Sequence, residues 1–98
     1  MDNLITVVTR FQLPGGVPAD QIRAAFEDVA PRFRNVPGLV RKQFLCSKDC
    51  RTADGVYLWN DESAAQAFMN ERVAPMIREK FHVDPTIEFY DSPLIVEN

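Results

Sequence analysis

One stretch of the sequence, residues 55–68 (GVYLWNDESAAQAF), constrains the fold more than any other. Residues 56–59 are β-branched, aromatic or aliphatic, a composition that favours a strand with apolar groups on both faces. Asn60 and Asp61 follow, with side-chain oxygens suited to the free N–H groups of a helix's first turn, and Glu62 adds negative charge there. The stretch therefore predicts a buried strand that leads directly into a helix.

Size and charge narrow the classes of function. With 98 residues, 46% of them hydrophobic, the chain is long enough for one domain with an apolar core. A formal net charge of -3 does not suit a nucleic-acid-binding protein, which usually shows a basic patch, so we expect no nucleic-acid partner. The sequence shows no signal-peptide pattern and no apolar run near the roughly 20 residues that span a bilayer. We therefore expect a soluble cytoplasmic protein with no membrane partner.

The two cysteines, Cys46 and Cys50, flank a short polar segment, CSKDC. A zinc site needs about four ligands, and the single histidine, His82, is far away in sequence. We therefore expect no metal site. In a cytoplasmic protein the two thiols are expected to be reduced, and a disulfide across a hairpin tip is the alternative.

Hydrophobic periodicity predicts the first half of the chain. A run of branched residues predicts a strand at residues 4–11, and apolar residues at helical spacing predict a helix over residues 18–33. Pro31 lies inside that pattern and predicts either a kink or a final loose turn. Residues 39–46 (LVRKQFLC) mix apolar and charged side chains, which is typical of an edge strand or of a strand that lines a polar cavity.

The second half repeats this order. Residues 47–54 predict a turn before the strand already described, and apolar residues then continue at helical spacing to about Phe81, with a second break predicted at Pro75. Residues 86–90 (TIEFY) alternate as a strand does, and the tail at residues 93–98 (PLIVEN) carries apolar side chains that need a surface to cover.

The resulting order of strand, helix, strand, strand, helix, strand is a doubled βαβ unit. Its simplest closed form is the ferredoxin-like α+β fold, a four-stranded antiparallel sheet with both helices on one face. Tyr57 and Trp59 point to one side of their strand and Val56 and Leu58 to the other, so the face without helices is also apolar. The sequence therefore predicts a homodimer in which a second copy packs sheet to sheet and encloses a cavity.

Three runs resemble a known family: VPGLVRKQFL, GVYLWNDESAAQAF and IEFYDSPLIVEN. They are similar to the small monooxygenases of the YdhR type, which belong to the dimeric α+β barrel superfamily together with the antibiotic-biosynthesis monooxygenases. The likeness spans roughly residues 36–98, and the first strand and helix agree in pattern only. The resemblance implies a dimeric α+β barrel built from one domain, residues 1–98, with an apolar pocket between sheet and helices or within the barrel.

The resemblance also implies a reaction. Relatives of this type oxidise aromatic or polyketide-like substrates with molecular oxygen and need no metal, haem or flavin cofactor. An electron-rich phenolic substrate carries that chemistry, while the protein binds, dehydrates and orients the substrate and stabilises its anion. Two alternatives stay open at this point: a non-catalytic dimeric module that binds a small hydrophobic ligand, and a structural dimer with a filled barrel.

Such a site needs aromatic walls and a cation near the substrate oxygen. Trp59, Tyr57 and Phe44 are the candidate walls, and Arg41 or Lys42 is the candidate cation. Since neighbouring residues of a strand point to opposite faces, only one of the two cations can face any one cavity. Core packing in a central strand is the simpler interpretation of the tyrosine and the tryptophan.

His82 is the candidate for moving a proton near neutral pH, although a histidine at a helix end is more simply a solvated cap. The catalytic residues of the antibiotic-biosynthesis enzymes have no motif match in this chain, so the resemblance assigns none. Haem-degrading members of the superfamily use an asparagine, a tryptophan and a helical histidine. Asn3, Trp59 and His82 fit that set poorly, since Asn3 precedes the first strand and His82 follows Pro75.

Overall fold

A computed structural model describes residues 4–98 of the chain. In chain order its elements are β1 (Leu4–Gln12), α1 (Ala19–Val29), a 3₁₀ turn (Ala30–Phe33), β2 (Leu39–Cys46), β3 (Thr52–Trp59), α2 (Glu62–Phe68), a π-helical turn (Met69–Val73), α3 (Ala74–Phe81) and β4 (Thr86–Ser92). The α2 helix, the π turn and α3 follow one another without a gap, so they form one long helix. The predicted order of strands and helices is confirmed.

The four strands form one antiparallel sheet in the order β2-β3-β1-β4. Both helical regions pack on the same face, because the core joins Ile22 of α1 and Ile77 of α3 to Val7 and Tyr57, which are partners across β1 and β3. The ferredoxin-like α+β fold is therefore confirmed. β2 lies at an edge, as its charged residues predicted.

Burial alternates along β3 as the sequence predicted. Tyr57 and Trp59 are buried beneath the helices, while Val56 and Leu58 are half-buried on the other side of the sheet. Asp61 then caps α2, since its side-chain oxygen accepts a hydrogen bond from a backbone N–H in the first turn at 3.0 Å. Asp61 therefore marks the point at which the hydrogen bonds of the sheet give way to those of the helix.

The start of β3 was predicted wrongly. The strand begins at Thr52 rather than Gly55, because Ala53 and Asp54 pair with Phe11 and Arg10 of β1. Asp54 looked like a turn residue in the sequence, but it faces the side of the sheet without helices and is paired there with an arginine. The β2–β3 connection is therefore short, covering residues 47–51.

The two helical prolines behave differently. The chain completes α1 at Val29 and makes a single 3₁₀ turn around Pro31, which is the loose last turn that the sequence predicted. The predicted break at Pro75 is wrong, since helix runs through it. The π turn lies just before α3, and the wider turn accommodates a residue that has no N–H to donate.

The face of the sheet opposite the helices, here called the open face, is not covered by residues 4–98. Val8, Val56 and Leu58 lie half-buried on it, and Arg10 donates to Asp54 across it at 2.8 Å. The tail beyond β4 is exposed, with Leu94 at 80% and Val96 at 77%. Among the described residues, no helix is long and apolar enough to cross a membrane.

Candidate functional site

A lysine lies under aromatic rings on the helix-covered side of the sheet. Lys42 belongs to β2 and is the cross-strand partner of Tyr57. Its Nζ lies 3.9 Å from the ring centroid of Tyr57, 4.0 Å from that of Phe44 and 4.7 Å from that of Phe33. The negative faces of these rings stabilise an ammonium group in the way that carboxylates do elsewhere.

Gly55 provides the space that this amine occupies. A Cβ atom built on Gly55 would lie 2.7 Å from the Nζ of Lys42, 2.7 Å from the Oγ1 of Thr9 and 2.8 Å from a ring carbon of Tyr57. Real Cβ atoms do not come that close to such neighbours, so a larger residue at this position would displace the amine or the ring. The absence of a side chain at position 55 is thus a structural requirement of this chamber, which we call the lysine chamber.

Burial shifts the ionisation of the lysine chamber. Removal from water lowers the pKa of the Lys42 ammonium to about 7. Within residues 4–98, no carboxylate forms an ion pair with Lys42 to oppose that shift. Burial also raises the pKa of the Tyr57 hydroxyl above its usual value, so this neighbour stays neutral. At neutral pH the chamber therefore holds an amine that is close to half deprotonated.

A continuous aromatic cluster extends from the lysine chamber toward the long helix. Phe33, at the end of the 3₁₀ turn, has its ring 5.7 Å from Phe44, 5.9 Å from Tyr57 and 6.0 Å from Phe68. Phe68 in turn lies 5.7 Å from Trp59. Phe33 therefore joins the rings of Phe44 and Tyr57 on the sheet to Phe68 on the long helix, which also contacts Trp59 of the sheet directly.

A cavity of about 560 Å³ lies between the 3₁₀ turn and the long helix, and Phe33 is one of its lining residues. Its apolar walls include Phe33, Phe68 and Met76, and Arg32 and Arg72 also line it. Both arginines are exposed, and neither takes part in an ion pair within the described chain. We call this space the helix cavity; its volume is in the range of small-molecule sites.

The helix cavity and the lysine chamber are neighbouring spaces that share lining side chains. Met76 lines both spaces, and Phe33 lines the helix cavity while its ring covers the Nζ of Lys42. The chamber itself is almost filled, with about 20 Å³ free. The structure thus places a roomy cavity near a buried amine, with Phe33 and the flexible Met76 in contact with both regions.

The structure brings together some of the residues that the sequence suggested as a site. Tyr57 and Phe44 lie in the lysine chamber, and Trp59 lies behind Phe68, fully buried. Arg41 lies on the open face opposite Leu58, away from these rings. Of the two candidate cations, Lys42 is therefore the one that faces the aromatic cluster; a binding role for Arg41 stays a prediction that concerns the other face.

His82 lies apart from the aromatic cluster. It is exposed at the end of α3 in a left-handed conformation, with φ of 59°. The preceding Phe81 stacks on Phe11, which is opposite Ala53 at the start of β3. Trp59 lies six residues further along that strand, roughly 20 Å away at the rise of a strand. Asn3, the third member of the haem-type set, lies outside the described residues.

Sequence reasoning missed the residues that form the helix cavity. Phe33, Phe68 and Met76 belong to the apolar positions at helical spacing, and the sequence predicted no role for Arg32 or Arg72. The pattern shows which face of each helix is apolar, but it does not show where a gap remains between two apolar faces. One signal was available: Phe33 follows the helix irregularity predicted at Pro31, where side chains leave the regular stripe.

Other polar groups offer less for chemistry. The Nε1 of Trp59 has no hydrogen-bond partner among residues 4–98, although the ring is fully buried. Cys46, at the end of β2, and Cys50, in the β2–β3 connection, carry free thiols and line neither space. In the described part of the chain, no three histidine, cysteine or acidic side chains are grouped as metal ligands.

Comparison with protein families identifies the group to which the chain belongs. A family model described as "Putative mono-oxygenase ydhR" matches residues 8–87, a span that includes the lysine chamber and the helix cavity. The chain is a member of the YdhR mono-oxygenase family. The resemblance to the YdhR type is thereby confirmed; the family match covers residues 36–87 of the span noted above and extends back into the first strand and the first helix.

Solved structures show the same fold. SnoaB, a cofactor-independent oxygenase from Streptomyces nogalater, matches with a TM-score of 0.72 and 19% identity, covering 98% of this YdhR-family chain and 99% of its own. ActVA-Orf6, a monooxygenase of Streptomyces coelicolor solved with nanaomycin D, matches with a TM-score of 0.68 and 21% identity over 99% and 93% of the two chains. A comparison with curated protein sequences found no match.

The fold is also shared with haem-related proteins. The heme-degrading protein Rv3592 from Mycobacterium tuberculosis matches with a TM-score of 0.70 and 18% identity, over 100% of each chain. At such identities the structural likeness shows the fold alone. The assignment of chemistry within the YdhR family must therefore come from the residues of this chain.

Proposed function

We propose that this protein is a cofactor-independent monooxygenase that oxidises a small aromatic or polyketide-like substrate with molecular oxygen, bound in the helix cavity. The observation that carries the proposal is the cavity of about 560 Å³, walled by Phe33 and Phe68, in a chain of a mono-oxygenase family. The oxygenases SnoaB and ActVA-Orf6, which share the fold, support the same reaction class.

The lining of the cavity suits an aromatic molecule that carries negative charge. The rings of Phe33 and Phe68 lie 6.0 Å apart and inclined by 73°, so a substrate ring can stack on one and meet the edge of the other. Arg32 and Arg72 add guanidinium groups that form no ion pair within residues 4–98. A phenolate or enolate is the substrate form that such cations stabilise.

In the proposed reaction the substrate anion supplies the electron that oxygen accepts. The aromatic walls exclude water and hold the ring in one orientation, which lowers the entropic part of the barrier. The arginines favour the anion over the neutral phenol, so they stabilise the reactive form of the substrate. Trp59 and Tyr57 support this site from behind, through their contacts with Phe68 and Phe33.

Oxygen uptake tests the proposal. The protein is mixed in air with a panel of anthrones and hydroquinones, and consumption above the rate in buffer is expected for at least one of them. Arg72→Met should lower kcat/KM by about tenfold, the effect of losing one charge-assisted hydrogen bond. Arg78→Met is the matched control, because Arg78 lies on the same long helix but pairs with Asp84 at 2.5 Å and does not line the cavity.

The alternative function is a non-catalytic module that binds a small hydrophobic ligand. One observation favours it: the residues that line the helix cavity are apolar side chains, an amide and two arginines, with no histidine, cysteine, lysine or carboxylate among them. Saturable binding of an anthrone, with oxygen uptake no faster than in buffer, would establish this alternative and refute the oxygenase.

We also propose that a second copy of the chain covers the open face, which makes the protein a homodimer of the α+β barrel type. Val8, Val56 and Leu58 and the exposed tail provide the apolar surface, and Arg41 would then lie between the two sheets. Sedimentation at micromolar concentration should give twice the mass of the 11.2 kDa chain. A stable monomer would refute the dimer without affecting the helix cavity.

A further inference from the structure

We propose that Lys42 accepts the phenolic proton of the bound substrate, and that Phe33 and Met76 form the movable partition that admits the substrate oxygen to its amine. The inference rests on the proposed function, since it assigns a role within the same site. The inference adds to the proposed function a proton-exchanging amine, which is not among the residues that line the helix cavity.

The first support is position. The Nζ of Lys42 lies 4.7 Å from the centre of the Phe33 ring, and Phe33 also lines the helix cavity. The second partition residue, Met76, is unbranched and lines both spaces. In the proposal, rotation of either side chain, or extension of the lysine's own four-carbon stem, brings the amine to a substrate held in the cavity.

The second support is the absence of a competing charge. Of the groups around the chamber, Tyr57 is a buried neutral phenol, and Asp54 borders the chamber while its carboxylate binds Arg10 at 2.8 Å on the open face. The helices contribute only apolar side chains to the chamber: Phe26, Val29, Met76, Ile77 and Phe81. The amine thus has no internal counter-ion among the described residues.

The third support is energetic. Burial without a counter-charge lowers the pKa of Lys42 to about 7, so much of the amine is unprotonated at neutral pH. When a phenol enters, its O–H bond breaks, the oxygen keeps the electron pair, and the proton forms the third N–H bond of the ammonium. The phenolate then supplies the missing counter-charge, and the three rings stabilise the cation.

The proton transfer can be tested without oxygen or turnover. The probe is 2-naphthol, whose absorption shifts to longer wavelength on ionisation and which is neutral in water near pH 7. Under anaerobic conditions, naphthol bound to the wild-type protein should show the naphtholate band. Its apparent pKa should fall by about one unit or more, a tenfold change in the ionisation equilibrium.

The variants separate the amine from the cavity. Lys42→Met keeps the length and packing of the side chain, so it should bind naphthol but leave it neutral. Lys42→Arg keeps a cation that cannot give up its proton. The ionisation of naphthol bound to this variant should therefore not follow the titration of an amine of pKa near 7, as it should in the wild type. Lys48→Met, at an exposed loop position, is the matched control and should behave as wild type.

Each outcome decides between the two proposals. The role of Lys42 would be overturned if the wild type and Lys42→Met formed equal amounts of naphtholate, or if both bound naphthol in its neutral form. Either result would leave the oxygenase proposal intact. Naphtholate formed only with Lys42, together with no oxygen uptake on any substrate, would leave the proton transfer standing and refute the oxygenase. No binding of naphthol to the wild type would overturn the helix cavity as an aromatic site, and both proposals with it.

Discussion

The two faces of the sheet have the same alternation in sequence and very different surroundings in the structure. On the helix-covered face, Tyr57 and Trp59 are buried among aromatic rings and beside an amine. On the open face, Val56 and Leu58 are half-buried, and the charges form an exposed ion pair. The difference shows that apolar periodicity can identify a strand with two apolar faces. It does not tell which face lines a binding site and which face packs against another subunit.

Truncation of one residue from each face should give the largest contrast. Trp59→Ala removes a fully buried ring and should lower the free energy of unfolding by about 3–5 kcal/mol. Leu58→Ala on the open face removes a half-buried side chain and should cost only about 1–2 kcal/mol in a monomer. Urea unfolding of both variants at equal protein concentration measures the difference.

The concentration dependence of this pair sharpens the comparison. If a second copy covers the open face, the cost of Leu58→Ala should increase with protein concentration, because the variant weakens association as well as the subunit. The two variants could instead lose the same free energy of unfolding at every protein concentration. That result would show that the open face is as much a part of the core as the helix-covered face, and the two faces would not differ as described.

The contrast explains which parts of the molecule were predictable. The bounds of β2, the alternation of β3, the cap at Asp61 and the loose turn at Pro31 depend on local chemistry and were predicted correctly. The start of β3 was not, because Asp54 belongs to the strand only by virtue of its partner Arg10 on a neighbouring strand. In the sequence alone, without knowledge of the partner strand, a polar residue on the open face cannot be told from a turn residue.

The site was less predictable than the fold for a similar reason. Lys42 was recognised as a candidate cation, but its environment comes from Phe33 on a turn after α1, from Phe44 two residues along β2, and from Tyr57 on β3. The helix cavity likewise lies between Phe33 and Phe68, which come from separate helical regions. Spaces of this kind depend on how far elements stand apart, a quantity that sequence periodicity does not report.

The pH dependence of stability should distinguish the buried amine from a solvated one. The pKa of Lys42 is about 7 in the folded chain and 10.5 in the unfolded one, so the unfolded state binds more protons between these values. Stability due to Lys42 should therefore rise with pH, by about 3 kcal/mol between pH 7 and 9.5. Above pH 10 the raised pKa of Tyr57 acts in the opposite direction, because the unfolded tyrosine then ionises first.

Chemical unfolding of the wild type and Lys42→Met from pH 6 to 9.5 isolates this effect, since all other groups are common to both proteins. The variant should be the more stable protein at pH 6, where the wild type holds a buried charge, and its advantage should shrink as the pH rises. Parallel curves would mean that the amine is solvated in the folded chain, and the helix-covered face would lose its distinguishing chemical group.

A smaller effect is expected from adding one methyl group to the lysine chamber. Gly55→Ala would place a Cβ 2.7 Å from the Nζ of Lys42 and 2.8 Å from the ring of Tyr57, so we expect a loss of about 1–3 kcal/mol from overpacking. Gly15→Ala is the matched control, because nothing lies within 4 Å of the position of its Cβ. In the double variant Gly55→Ala, Lys42→Ala, the methyl group should cost less, since the amine it displaces is gone. An additive double variant would mean that the Tyr57 ring, and not the lysine, is what requires a glycine at this position.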